Sequence, residues 1–161
     1  MWPFGRRDEI DHAALLAEAV AMFRGIAADL TLELVETQDD PVELSMTFPR
    51  QPGLSADVWV SLQNVDEVWF CVEGITYSRF PFPRCRPDFE ATLRGVLSGH
   101  HRLLLWPGPP GRPARRGEIQ RPTETGWETV ARYGSFPGMF RKGSAPDPQV
   151  VVLTDETPGG T

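Results

Sequence analysis

The residues best suited to recognition chemistry in this chain are arginines set among aromatics. Arg79, Arg84 and Arg86 lie in one stretch with Tyr77, Phe80 and Phe82, and Arg112, Arg115 and Arg116 cluster about thirty residues later. A guanidinium binds carboxylate or phosphate through two parallel hydrogen bonds, and a neighbouring aromatic ring supplies rigid apolar contact. These nine residues are the candidate binding set. The competing reading is a group of solvated arginines above a core that Phe80 and Phe82 plug, since isolated surface charges contribute little. Biased coding DNA also accounts for arginine usage in general, Lys142 being the lone lysine among 16 basic residues.

Other chemistry finds weaker support. Cys85 stands between Arg84 and Arg86, whose field favours a thiolate if the side chain is exposed, but no histidine base is near it in sequence. Cys71 falls in an apolar run and reads as a small core residue, and the two cysteines lack Cys-x-x-Cys spacing. His100 and His101 are adjacent, so a strand would point them to opposite faces. A closed metal site using both with His12 is therefore awkward, and no metal is expected. No phosphate-binding loop, dinucleotide fingerprint, His-Glu-x-x-His helix or Gly-x-Ser-x-Gly elbow is present, and Pro109 and Pro110 remove donors that an anion nest would use. No cofactor is expected. Glu118, Glu124 and Glu128 show ordinary strand and turn spacing; an enzyme would need a hidden pair such as His101 with Glu73 or Glu118.

The elements that position these residues follow from length and pattern. At 161 residues with 31 Gly plus Pro, the chain supports one hydrophobic core with irregular ends. Residues 1–7 form an irregular lead carrying Trp2 and Phe4, 8–155 a single domain, and 156–161 a frayed end. Asp8 or Asp11 caps a helix running to about Asp29, with Leu15, Ala19, Met22 or Phe23, Ile26 and Leu30 on one stripe and Gly25 as a sign of close packing or an early end. Period-two alternation then predicts two hairpins, 31–37 with 42–48 around Gln38–Pro41, and 57–62 with 67–73 around 63–66. The second hairpin looks apolar on both faces, with Trp59 opposite Val58, Val60 and Leu62, so a terminal segment or a partner subunit is expected to cover it. Residues 74–86 read as an extended, proline-stiffened connector. Pro87 and Asp88 open a short helix that stops at Gly99. Strands follow at 100–106, 115–121, 127–133 and 149–154, while 134–148 has no clear period. The fold class is α+β: an N-terminal helix packed on a largely antiparallel sheet, with a second short helix inserted after four strands.

Charge is the remaining constraint. The chain carries 22 acidic and 16 basic residues for a net −6, which disfavours nonspecific nucleic-acid wrapping. Residues 1–75 hold 14 acids and 4 bases, residues 76–145 hold 5 acids and 12 bases, and residues 146–161 hold 3 acids and no base, so the molecule is expected to be dipolar. Hairpin reversal predicts that Asp39, Asp40, Asp66 and Glu67 gather at one end, with His100 and His101 beside them. Arg84 and Arg86 are expected to meet Arg112, Arg115 and Arg116 at the other. The function this pattern implies is noncatalytic: a cytoplasmic, adaptor-like interaction protein whose arginine and aromatic rim binds an acidic protein partner, with self-association as a homodimer a further possibility. A small anionic ligand or an enzyme with a cryptic His/Glu site is the alternative. Nucleic acid is disfavoured, and no segment has the length of apolar sequence that a membrane helix needs.

Overall fold

The computed structural model describes residues 11–37, 42–108, 110–112, 116–134 and 147–154. The lead with Trp2 and Phe4, the alternative cap Asp8, the turn residues Gln38–Pro41, Arg115 and the frayed end lie outside the described residues.

Helix α1 (His12–Leu30) begins where Asp11 Oδ1 accepts the Ala14 amide at 3.0 Å. Leu15, Ala19, Met22, Phe23, Ile26 and Ala27 form its buried stripe. Gly25 causes neither an early end nor a close approach, because a side chain there would meet open space. The helix stops at Thr31, which turns left-handed while the Leu32 amide returns to the Ala27 carbonyl at 2.9 Å. That cap consumes the start of the expected first strand. Gln51 then takes the role of a neighbouring strand, its side chain accepting from the Glu33 amide at 2.7 Å and donating to the Glu33 carbonyl at 3.1 Å. Strand β1 is consequently only Val35–Glu36.

It starts a five-stranded antiparallel sheet with β2 (Leu44–Phe48), β3 (Val58–Gln63), β4 (Glu67–Val72) and β5 (Ile75–Arg79), ordered along the chain. Strand β5 corrects the expectation of an extended connector over 74–86. Glu73 and Gly74 both adopt positive φ, 50° and 79°, which is the two-residue reversal that joins twisted antiparallel strands. Ile75 and Tyr77 are buried on the core face of β5, alternating with the less buried Thr76 and Ser78.

Helix α2 (Phe82–Leu97) starts five residues before the expected Pro87 and has 16 residues. Its start is fixed by the buried Phe82 ring and by the Phe82 amide, which donates to the Asp66 carbonyl at 2.7 Å. Pro83 occupies the first turn, where a missing N–H costs least, and Pro87 is carried within the helix. Phe89 of α2 packs against Phe70 at 5.7 Å, Tyr77 at 5.9 Å and Phe23 at 6.4 Å, so both helices share the inner face of the sheet. An ion ladder closes the helix pair: Glu18 with Arg86 at 2.8 Å, Arg86 with Glu90 at 3.5 Å, and Arg94 with both Glu90 and Asp29 at 2.9 Å.

On the outer face of this sheet, the Trp59 indole donates to Ser45 Oγ at 2.6 Å, and Gln63 donates to Ser61 Oγ at 2.8 Å. Ser45 and Ser61 are buried on this face.

The chain then builds a second antiparallel sheet from β6 (Arg102–Trp106), β7 (Arg116–Thr123), β8 (Gly126–Gly134) and β9 (Gln149–Val151), in the order β8-β7-β6-β9. Leu103, Leu105 and Ile119 are buried on its inner side, where Gly117 lies against Ile75 of β5. The expected α+β class is present, an N-terminal helix with antiparallel strands and a second helix inserted mid-chain, with one more strand before that helix and the strands divided between two sheets.

Candidate functional site

The nominated residues fall into two groups. Tyr77 is buried, its hydroxyl donating to Asp88 Oδ2 at 2.9 Å and lying 3.3 Å from Thr92 Oγ1. Burial pushes the Tyr77 phenol up to about 12. Arg79 lies over the Tyr77 ring at 4.1 Å and donates to the same Asp88 oxygen at 3.0 Å. Partial burial works against the Asp88 carboxylate, but the hydrogen bonds from Tyr77 and Arg79 outweigh it and hold its pKa below the usual value. Arg86 is engaged by Glu18 and Glu90, and Phe82 is core. Four of the nine residues thus hold α2 in place. Phe80, 68% exposed, and the exposed Arg84 form the open corner at the start of α2. Cys85, beside them, donates weakly to the Phe82 carbonyl at 3.6 Å, and burial pushes its thiol up rather than toward a thiolate.

The expected common rim is not formed. Strand β5 returns the chain to the β3–β4 turn, so Asp66 abuts the start of α2 instead of facing away from Arg84 and Arg86. Gly117, next to Arg116, packs on Ile75 at the far end of β5, about 13 Å from Arg79 at 3.3 Å per residue. His100 and His101 follow the other end of α2, away from Asp66. The unforeseen strand brings Arg84 and Arg86 to the Asp66 end, and the packing of Gly117 on Ile75 puts the start of β7 at the opposite end of β5. Arg112 is exposed in the loop between β6 and β7.

A second constellation lies on the outer face of the second sheet. The register places Arg102, Gln120 and Thr129 in one cross-strand row, Leu104, Glu118 and Arg132 in the next, and Trp106 with Arg116 in a third. A bulge between Ile119 and Gln120 makes this possible. Ile119 pairs with Ala131 but Gln120 with Thr129, so Val130 is the extra residue and Thr129 and Arg132, three apart, share one face. At the centre is Glu118, with a side chain only 8% exposed. Its Oε1 accepts from Arg116 at 3.3 Å and faces Arg132 Nε at 3.4 Å; its Oε2 accepts from Thr129 at 3.0 Å and from Gln120 at 3.5 Å. Gln120 accepts from Arg102 Nε at 2.9 Å. Each end of this network rests on an indole: Arg116 lies 4.0 Å above Trp106, and Arg102 reaches across the sheet to lie 4.1 Å above Trp127. Trp127 is 43% exposed, and the Arg132 side chain 60%.

Sequence reasoning selected Arg116 from this set and missed Arg102, Arg132, Trp106 and Trp127. The available signal was alternation within three strands; what hid it was the bulge and the cross-strand order, which no local pattern carries.

The conceivable His/Glu pairs are not assembled. His101 packs against Gly95 of α2, its Nδ1 buried without a hydrogen-bond partner among the described residues, and burial lowers its pKa. Glu73 is an exposed turn residue, and Glu118 engages the arginines, Gln120 and Thr129 described above. Among the described residues no group of three or more His, Cys, Asp or Glu side chains could hold a metal, and no helix is long and apolar enough to cross a membrane. Compared with protein-family models, with curated proteins and with solved structures, the chain returns no match. The surface features on which a function can be argued are therefore arginine-carboxylate networks at the periphery of an aromatic core.

Proposed function

We propose that this protein is a noncatalytic interaction module that captures an acidic partner protein on the outer face of its second sheet. The observation that carries the reading is the pair of arginines laid on indoles, Arg102 on Trp127 and Arg116 on Trp106, at the two ends of a network centred on Glu118. A guanidinium stacked on an aromatic ring loses less side-chain freedom when it meets a carboxylate, because its orientation is already set. Glu118 orients Arg116 and Arg132 from below without reaching solvent itself. The face thus presents Arg132, its side chain 60% exposed, and the exposed Trp127 indole with the half-buried Arg102 on it, a combination enriched at the centres of protein interfaces. The corner of Phe80 and Arg84 supplies a separate second contact.

Fluorescence anisotropy with a labelled glutamate-rich peptide tests the reading. Wild type is expected to bind it in a salt-sensitive manner and to ignore the glutamine analogue. The double charge reversal Arg102→Glu with Arg132→Glu, its circular dichroism unchanged, is expected to lose binding. Retention of full affinity by the folded double variant would contradict the assignment.

A further inference from the structure

Strand β8 is the longest strand among the described residues, with nine, and it stands at the end of its sheet. One of its edges pairs with β7, and among the described residues no strand pairs with the other. Gly126 to Glu128 and Arg132 to Gly134 are exposed, with Trp127 at 43% and Tyr133 at 41%. An open edge carries amide and carbonyl groups ready to pair with another chain, and proteins commonly blunt such edges with lysine, proline or a very short strand. Strand β8 contains neither residue and is not short, so its far edge is a template for one more strand. The bulge at Val130 decides which strand fits.

That bulge shifts the alternation at mid-strand. Trp127, Thr129, Arg132 and Gly134 share the outer face, while Glu128, Ala131 and Tyr133 share the inner. The arrangement reads the same from either end, its midpoint falling between Val130 and Ala131. An antiparallel strand of identical sequence therefore matches it face for face when a two-fold axis passes through that midpoint. A slip of one residue in either direction sets outer positions against inner ones. In the matching register Trp127 lies opposite Gly134 of the second copy, Glu128 opposite Tyr133, Thr129 opposite Arg132, and Val130 opposite Ala131. No two like charges stand opposite each other, and each exposed indole covers an edge glycine. We infer that β8 is the seam of a symmetric dimer: a second copy of this chain adds its own β8 antiparallel, and the two four-stranded sheets become one continuous sheet. The seam uses the edge of β8 rather than the outer face, so it stands whether or not that face takes an acidic partner.

Sedimentation equilibrium of the full chain over a wide concentration range tests the seam. The wild-type mass is expected to rise from that of one chain toward that of two. Tyr133→Lys places a cation opposite Glu128 of the second copy and Tyr133→Glu a carboxylate, each twice per dimer. Tyr133 is exposed, so both variants are expected to keep the wild-type circular dichroism. The Tyr133→Lys dimer is expected to be about tenfold tighter than the Tyr133→Glu dimer, a difference of ~1.4 kcal/mol. A wild-type chain that stays single at every concentration would overturn the seam, as would equal dissociation constants for the two folded variants.

Discussion

Glu118→Gln is the substitution that most directly probes how the second sheet holds its arginines. It preserves shape but removes the charge on which two guanidinium groups converge. Breaking a fully buried ion pair costs about 3–5 kcal/mol, but three features reduce that here. The contacts from Arg116 and Arg132 are 3.3 and 3.4 Å long, and the Arg132 side chain is 60% exposed, so water screens it once the carboxylate has gone. Gln also retains an oxygen for Thr129, whose bond to Glu118 at 3.0 Å is the shortest of the four. What remains is the unscreened part of the Arg116 interaction and the loss of charge assistance, together about 2–3 kcal/mol. For a chain of this size that lowers the melting temperature by about 5–10 °C. Thermal and urea unfolding followed by circular dichroism measure it, with Arg132→Gln as a companion that costs under ~1 kcal/mol because that side chain is largely in solvent. A Glu118→Gln protein within about 0.5 kcal/mol of wild type would refute the view that a buried carboxylate organises this face.

Three further expectations follow from the packing. His101 has a pKa depressed by burial, so the unfolded state binds a proton more readily: its contribution to stability is present above the unfolded value of about 6.5 and is lost as pH falls below it toward the folded pKa, each unit of depression being worth ~1.4 kcal/mol. His101→Gln should flatten the fall in urea midpoint between pH 7 and 5, a window clear of Asp88, whose depressed pKa matters only below about 4. An unchanged slope would count against a buried neutral imidazole. Gly95→Ala drives a methyl group into the His101 ring and should cost about 1–2 kcal/mol after the gain in helix propensity, whereas Gly25→Ala meets no neighbour and should gain about 0.5–1 kcal/mol; paired melting curves with the opposite order would refute this packing. Tyr77→Phe removes the hydroxyl shared with Asp88 and Thr92 and should cost about 1 kcal/mol in urea unfolding, a neutral result speaking against that hydrogen-bonded cluster.

The parts of the fold that were readable from sequence are those governed by local rules. The Asp11 cap and the stripe from Leu15 to Ile26 mark α1, and alternation around Met46, Val60 and Phe70 marks the central strands. The failures share a cause in tertiary context. Ile75-Thr76-Tyr77-Ser78 has the period of a strand, but the prolines that follow draw attention away from it, and α2 begins before Pro87 because a buried Phe82 and the Asp66 carbonyl anchor it there. A missed strand moves the start of α2 to the Asp66 end, and a second sheet that packs Gly117 on Ile75 keeps Arg116 from following Arg84 there, which counting reversals along one sheet does not reveal. Of the candidate site, residue type was legible and position was not. Arginine and tryptophan abundance is visible in composition; that Arg102 on β6 crosses β7 to reach Trp127 on β8 depends on register and on the bulge at Val130.

The claim that an acidic partner occupies the second sheet is tested most directly by amide and indole NMR during titration with the glutamate-rich peptide. Chemical-shift changes concentrated on the indole of Trp127, the side chains of Arg102 and Arg132 and the amides of β7 and β8 are the predicted outcome. Changes confined to Phe80, Arg84 and the first turn of α2 would contradict it.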